Sequence, residues 1–185
     1  KCECVNVRKV VIVGCGFVGS ASAFALMQSG LFSEMVLIDV DKDRAEGEAM
    51  DISHGASFAG PMKIYAGGYE DVGDAAIIVI TAGANQKPNE TRLDLVQKNA
   101  KIMTDVVTQI KEQEYKGILL IVSNPVDIMT QVAMEVSGFP EHRVFGSGTV
   151  LDSARLRYHL GQHLGVDSRS VHAFVIGEHG DSEIA

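Results

Sequence analysis

The chain has 185 residues, 46% of them apolar, with 19 glycines, no tryptophan, a formal net charge of −8 and a pI of about 5.2. That is enough to bury the core of one domain with the start of a second. The acidic balance excludes a nucleic-acid or anionic-membrane partner, which would need a basic face, although scattered basic residues still permit a local anion site.

Lys1-Cys-Glu-Cys-Val-Asn-Val-Arg8 leads directly into a strand, so no signal peptide is expected, and the absence of an initiating Met suggests trimmed first residues. Cys2, Cys4 and Cys15 are too few for a disulfide framework, and Cys2 and Cys4 have no nearby Cys or His to complete a metal set. They read as reduced thiols of a cytoplasmic protein, with no metal site expected.

Val10–Val13 is a β-branched run ending in glycines, the pattern of a buried strand. A helix is expected over Val18–Gln28, a second strand over Met35–Ile38 and a helix from about Lys42 to Ser57. Strands follow at Lys63–Tyr65 and Ala75–Thr81, then a polar loop over Ala82–Glu90. A long helix over Thr91–Glu114, a strand over Ile118–Val122, helices over Val126–Ser137 and Val150–Leu164, and a strand over Val171–Ile176 complete the set. The strands are continuous apolar runs rather than alternating ones, and helices separate most of them. This predicts an α/β fold, a parallel sheet covered on both faces. No repeat, low-complexity linker or apolar run of membrane-spanning length interrupts it.

Gly14-Cys-Gly16-Phe-Val-Gly19 is a G-x-G-x-x-G between the first strand and the first helix, and Asp39 ends the next strand twenty residues after Gly19. Gly14 suits a tight turn, Gly16 a close approach of backbone to a pyrophosphate, and Gly19 close helix–strand packing, while the helix N-terminus offers N–H groups to phosphate. Asp39 can accept hydrogen bonds from ribose hydroxyls, and with Asp41 nearby it would repel a 2′-phosphate. The cofactor expected is NAD, on a Rossmann-type doubly wound sheet of order 3-2-1-4-5-6.

Asp152 and Arg155 share a helix face, which fits either a surface ion pair or part of a site. His179, in Gly177-Glu-His-Gly-Asp181, follows an apolar run, and a histidine held by an aspartate is a proton donor and acceptor near neutral pH.

Four segments then carry a resemblance that runs in register along the chain: Thr81–Leu95, Ser123-Asn-Pro-Val-Asp127, Gly148–Arg155 and Gly177–Ser182. Together they resemble the lactate and malate dehydrogenase family. The resemblance implies an acid/base role for His179, with Asp152 orienting it. It also implies a carboxylate clamp at Arg155, carbonyl polarisation by Arg92 at the end of a closing loop, and a contact of Asn124 with nicotinamide and substrate. Phe17, Val18, Thr81, Ala82 and Gly83 join Gly14, Gly16, Gly19, Asp39 and Asn124 as implied cofactor contacts.

Where the family's malate enzymes carry an arginine, this chain has Gln86. A second substrate carboxylate would be left unpaired there, so the implied pair is pyruvate and L-lactate, with malate or a branched 2-hydroxy acid as the alternative. Asn89 stands where the family has glycine, which implies a stiffer hinge.

Arg157 and His172 match positions that bind fructose 1,6-bisphosphate in allosteric bacterial members; the alternative is a solvated arginine beside a buried histidine. The other four histidines, His54, His142, His159 and His163, read as structural or surface residues. Residues 1–148 are expected to form the NAD-binding domain, and 149–185 the first elements of an α+β catalytic domain. Family members continue well beyond this length, so the chain reads as the N-terminal portion of a glycolytic or fermentative homotetramer, or as an NAD(H)-binding module without turnover.

Overall fold

The computed structural model describes residues 5–85 and 91–185. They fall into two compact units, residues 1–145 and 146–185.

In the first unit the strands are β1 (Asn6–Val13), β2 (Glu34–Ile38), β3 (Lys63–Ala66), β4 (Ala75–Ile80), β5 (Ile118–Ile121) and β6 (Val144–Gly146), in sheet order β3-β2-β1-β4-β5-β6. The pairs β1–β2, β1–β4, β2–β3 and β4–β5 are all parallel. Helices α1 (Phe17–Ser29), α2 (Lys42–Gly55), α3 (Arg92–Glu112) and α4 (Val126–Ser137) connect them. The order reverses beside β1: the chain passes outward to β2 and β3, then returns to β4 on the other side. A crevice therefore opens at the carboxyl ends of β1 and β4, where such sheets bind ligands.

Alternation along β1 explains its unbroken apolar run. Val11 and Val13 join one core cluster with Ile78, Ile80, Met103 and Ile110, while Val10 and Ile12 join the other with Met27, Met35, Leu37 and Ile52. Successive side chains point to opposite faces, and helices cover both, so neither face tolerates a polar residue. Each such side chain contributes about 1.5–3 kcal/mol on burial.

Helix α1 buries Gly19, Ala23 and Met27 at four-residue spacing, the small ones first, which lets its start lie close to β1. Helix α3 buries Asn99, Met103, Val106, Val107 and Ile110 on one stripe. Its first turn is closed by a reciprocal cap. Thr91 Oγ1 accepts from the Asp94 N–H and Asp94 Oδ2 accepts from the Thr91 N–H, both at 3.1 Å.

In the second unit, α5 (Val150–Leu164) ends at Gly165 and is followed by a 3-10 turn, Ser168–Ser170. The expected strand over Val171–Ile176 does not form. Its only ladder contact among the described residues is an isolated bridge between Ile176 and Ile184. Side chains of α5 and of the residue before it, Thr149, hold this segment instead. Thr149 Oγ1 donates to Val175 O at 2.6 Å, Ser153 Oγ accepts from the Val175 N–H at 2.9 Å, and Arg157 Nε donates to Ala173 O at 2.8 Å. β6 is a three-residue strand that the sequence does not mark, and the helix expected from Lys42 to Ser57 gives way to a 3-10 turn at Ala56–Phe58. Among the described residues, no helix is long and apolar enough to cross a membrane.

Candidate functional site

The glycine-rich turn is fixed from three sides. The Gly14 N–H donates to Ile38 O at 2.7 Å, Thr81 Oγ1 donates to Gly14 O at 2.8 Å, and the Cys15 N–H donates to Asp39 Oδ2 at 2.6 Å. Gly14 has φ +102°, and a Cβ there would lie 2.6 Å from Ala82 N, so both conformation and space demand glycine. At Gly19 a Cβ would run into the carbonyl oxygen of Gly14.

Gly16 is different. Its backbone is extended (φ −76°, ψ −172°), and a Cβ would meet nothing within 4 Å. Neither conformation nor packing within the chain requires glycine there, and the open space lies at the start of α1, whose first turn receives no side-chain cap. An anionic group that needs backbone N–H donors and close approach fits this cradle. Phe17 (95% exposed) and the exposed Val18 turn their side chains to solvent on the same helical turn.

Asp39 uses each carboxylate oxygen once, Oδ2 on the Cys15 N–H and Oδ1 on the Asp41 N–H at 2.9 Å. Each oxygen keeps a second lone pair, sufficient for ribose hydroxyls. Burial, then the charges of Asp39 and Glu48, push the Cys15 thiol up to about 12, so a cysteine inside the loop stays neutral. These features fit a dinucleotide: donors for a pyrophosphate and a carboxylate for a ribose, where a 2′-phosphate would meet the negative charge of Asp39.

Beyond β4 and β5, buried polar side chains join the two strand-end loops. Ser123 Oγ donates to Ala82 O at 2.7 Å, and Asn99 Oδ1 accepts from the Ala84 N–H at 2.8 Å. Asn99 Nδ2 donates to Asn124 O at 3.0 Å. Thr81, Ala82, Gly83 and Asn124 thus sit on segments held to one another at the carboxyl edge of the sheet. Arg92 is the exposed first residue of α3. Gln86 and Asn89 lie outside the described residues.

In the second unit, Asp152 is buried and stands between the imidazole of His179 and the guanidinium of Arg155. His179 Nδ1 lies 2.5 Å from its Oδ2, and Arg155 Nη1 lies 3.2 Å from its Oδ1. Burial raises the carboxyl's pKa, but the hydrogen bond and charge of His179, followed by Arg155, outweigh it and hold Asp152 below the usual carboxylate range. Gly177, at φ +97°, turns the chain so that His179 meets α5. A ring whose Nδ1 is held by a carboxylate has a fixed orientation and one nitrogen directed to proton exchange. Glu183 joins them, with ligand atoms of all three residues within 4.8 Å of one another, and adds a second acidic group beside the imidazole.

Arg157 reaches away from Asp152 to the carbonyl of Ala173, with its guanidinium 4.6 Å over the Phe174 ring, and His172 beside Ala173 is exposed rather than buried.

Sequence reasoning overlooked Asn99, the Thr91–Asp94 cap and Glu183. The cap has a signal, Thr-x-x-Asp before an apolar stripe, and Asn99 shows as a polar break in that stripe.

The model of the lactate/malate dehydrogenase NAD binding domain matches residues 8–146, and that of the family's alpha/beta C-terminal domain matches 149–185. The chain belongs to the lactate/malate dehydrogenase family. It is 57% identical over 176 residues to an L-lactate dehydrogenase of Priestia megaterium, covering 95% of this chain and 55% of that protein. An L-lactate dehydrogenase of Acetivibrio thermocellus is 53% identical, covering 97% and 56%. Among solved structures, a lactate dehydrogenase from a Medee basin deep-sea metagenome library superposes with a TM-score of 0.93 at 53% identity, covering 96% of this chain and 57% of that one. The minor L-lactate dehydrogenase of Enterococcus mundtii, in its ligands-bound form, gives 0.94 at 47%, covering 96% and 57%. The chain therefore spans about half the length of the family members it matches. The six-stranded, Rossmann-type α/β fold is theirs, and the cradle at Gly16 belongs to the family's NAD binding domain.

Proposed function

We propose that the protein is an NAD-dependent L-lactate dehydrogenase, interconverting pyruvate and L-lactate. The observation that carries this reading is the buried Asp152 carboxylate, which holds the imidazole of His179 on one oxygen and the guanidinium of Arg155 on the other. Residues 1–148 act as the cofactor domain and 149–185 as the beginning of the substrate domain.

When bound in the cradle of Gly14, Gly16 and Gly19, NADH would supply the hydride that reduces the carbonyl carbon of pyruvate. His179 delivers the proton that completes L-lactate and recovers it in the reverse direction. With Nδ1 given to Asp152, the exchanging nitrogen is Nε2, and the carboxylate stabilises the imidazolium in each cycle. Arg155 clamps the substrate carboxylate, for which a planar guanidinium supplies two parallel donors. Arg92 polarises the carbonyl as charge gathers on oxygen, and Asn124 orients the nicotinamide side. Gln86 leaves the pocket neutral, which suits a methyl group and leaves a second carboxylate, as in oxaloacetate, without a cation.

Gly14, Gly16, Phe17, Val18 and Gly19 receive the pyrophosphate, Asp39 the adenosine ribose, and Thr81, Ala82 and Gly83 the nicotinamide half. Arg157 and His172 form a site for fructose 1,6-bisphosphate; Arg157 spends its Nε on Ala173 O, so its terminal nitrogens are those that meet a phosphate. The protein works as a cytoplasmic homotetramer in glycolytic fermentation.

Two substitutions test the assignment. His179→Gln lowers pyruvate-dependent NADH oxidation by roughly 100- to 10,000-fold while the NADH titration stays unchanged. Arg157→Gln abolishes any activation by fructose 1,6-bisphosphate and leaves unactivated turnover intact. An active His179→Gln enzyme contradicts the proton-transfer role.

A further inference from the structure

The apolar stripe of α3 runs Asn99, Met103, Val106, Val107, Ile110, and its first member is an amide that is 5% exposed. An amide at such a position costs stability unless its donors and acceptor are used. Here they are used on two different loops. Oδ1 takes the Ala84 N–H at 2.8 Å, and Nδ2 gives to Asn124 O at 3.0 Å, with Ala84 O further off at 3.5 Å.

Ala84 follows β4 and leads toward Gln86 and Arg92; Asn124 follows β5. One side chain thus fixes the backbone of Ala84, two residues before Gln86 in sequence, to the backbone of the residue assigned to nicotinamide and substrate. Ser123 Oγ, on Ala82 O, ties the same two loops closer to the sheet, so Asn99 is the outer of two pins.

We propose that Asn99 is a positioning residue for the nicotinamide half of the cofactor, acting through the Ala84 amide and the Asn124 carbonyl rather than by touching the reacting atoms. The inference rests on the reading of Asn124 as the nicotinamide contact, and it is independent of which 2-oxo acid is reduced. The adenosine half is held elsewhere, at Asp39 and the glycine turn, so Asn99 governs one half of the ligand and not the other.

Asn99→Asp tests this without changing volume. The carboxylate still accepts from the Ala84 N–H, but it presents an acceptor to Asn124 O, where the amide presented a donor. Asn99→Leu removes both bonds and keeps the stripe apolar. The expected result is a loss of about tenfold in NADH affinity for Asn99→Asp and at least as much for Asn99→Leu, with ADP-ribose, which lacks the nicotinamide, bound within twofold of the parent chain. Amide exchange at Ala84 accelerates in Asn99→Leu and stays slow in Asn99→Asp. Unchanged NADH affinity in both variants overturns the proposal. An equal loss for NADH and ADP-ribose overturns it too, since that marks general loosening of the fold. A parent protein that binds NADH but does not reduce pyruvate removes the lactate reading and leaves this test standing.

Discussion

Gly16 and Gly19 sit three residues apart and answer to different forces. At Gly19 the obstacle is internal, because a Cβ collides with the Gly14 carbonyl. Gly19→Ala is expected to cost at least about 2 kcal/mol of stability, since backbone must shift to admit it. Gly16 has open space and ordinary backbone angles, so Gly16→Ala should leave stability within about 0.5 kcal/mol of the parent. It should nonetheless weaken NADH by at least roughly tenfold, because the methyl group occupies the approach of the pyrophosphate. Urea unfolding and fluorescence titration of the two variants separate the cases; a Gly16→Ala chain that binds NADH normally would mean the cradle serves nothing. Cys15, immediately before Gly16, is protected by its neutral thiol. Iodoacetamide at pH 8 should label it on the order of a thousandfold more slowly than the unfolded chain, because burial and the Asp39 and Glu48 charges raise it to about 12. Asp152 shifts the other way. Its folded value lies below the unfolded one of about 3.9, so its contribution is complete well above that value and disappears as pH falls through the lowered folded value. Asp152→Asn should flatten the acid limb of the stability profile, and an unchanged limb would show that the pair contributes nothing there.

At the scale of elements, local chemistry decides where the functional segments begin. Helix α3 starts at Arg92 because Thr91 and Asp94 satisfy each other's backbone N–H groups. Thr91→Ala should cost about 1 kcal/mol, against about 2–5 kcal/mol for Ile110→Ala in the buried stripe of the same helix. Strands β1, β2, β4 and β5 are legible in the sequence because both sheet faces are covered and each strand must be apolar throughout. β6 is not legible, being three residues long with Phe145 turned half outward. Val171–Ile176 has the composition of a buried strand, yet Thr149 and, from α5, Ser153 and Arg157 take up its backbone groups, and a strand needs a partner that composition cannot supply. The cofactor turn is readable because its residues are adjacent in sequence. The His179–Asp152 pair spans 27 residues, and only resemblance to a family joins it before the structure does. Asn99 shows as polar in an apolar stripe, but its partners are fixed by the return of β4 and β5 to one edge, which no local pattern encodes.

For the whole molecule, the sheet order and the acidic charge point one way: a ligand at the carboxyl ends of β1 and β4, held by backbone donors and a carboxylate rather than by a basic surface. The first unit holds the cofactor cradle; the second, by itself, holds the imidazole, carboxylate and guanidinium to which the proposed function gives proton transfer and carboxylate binding. In the proposed function, neutral Gln86 then selects among 2-oxo acids. The central claim is tested most directly by comparing kcat/KM for pyruvate and for oxaloacetate in NADH oxidation by the full-length protein. The account predicts a preference for pyruvate of at least about a hundredfold, reversed toward oxaloacetate by Gln86→Arg, because an unpaired buried carboxylate costs several kcal/mol. Preference for oxaloacetate in the parent protein would contradict it.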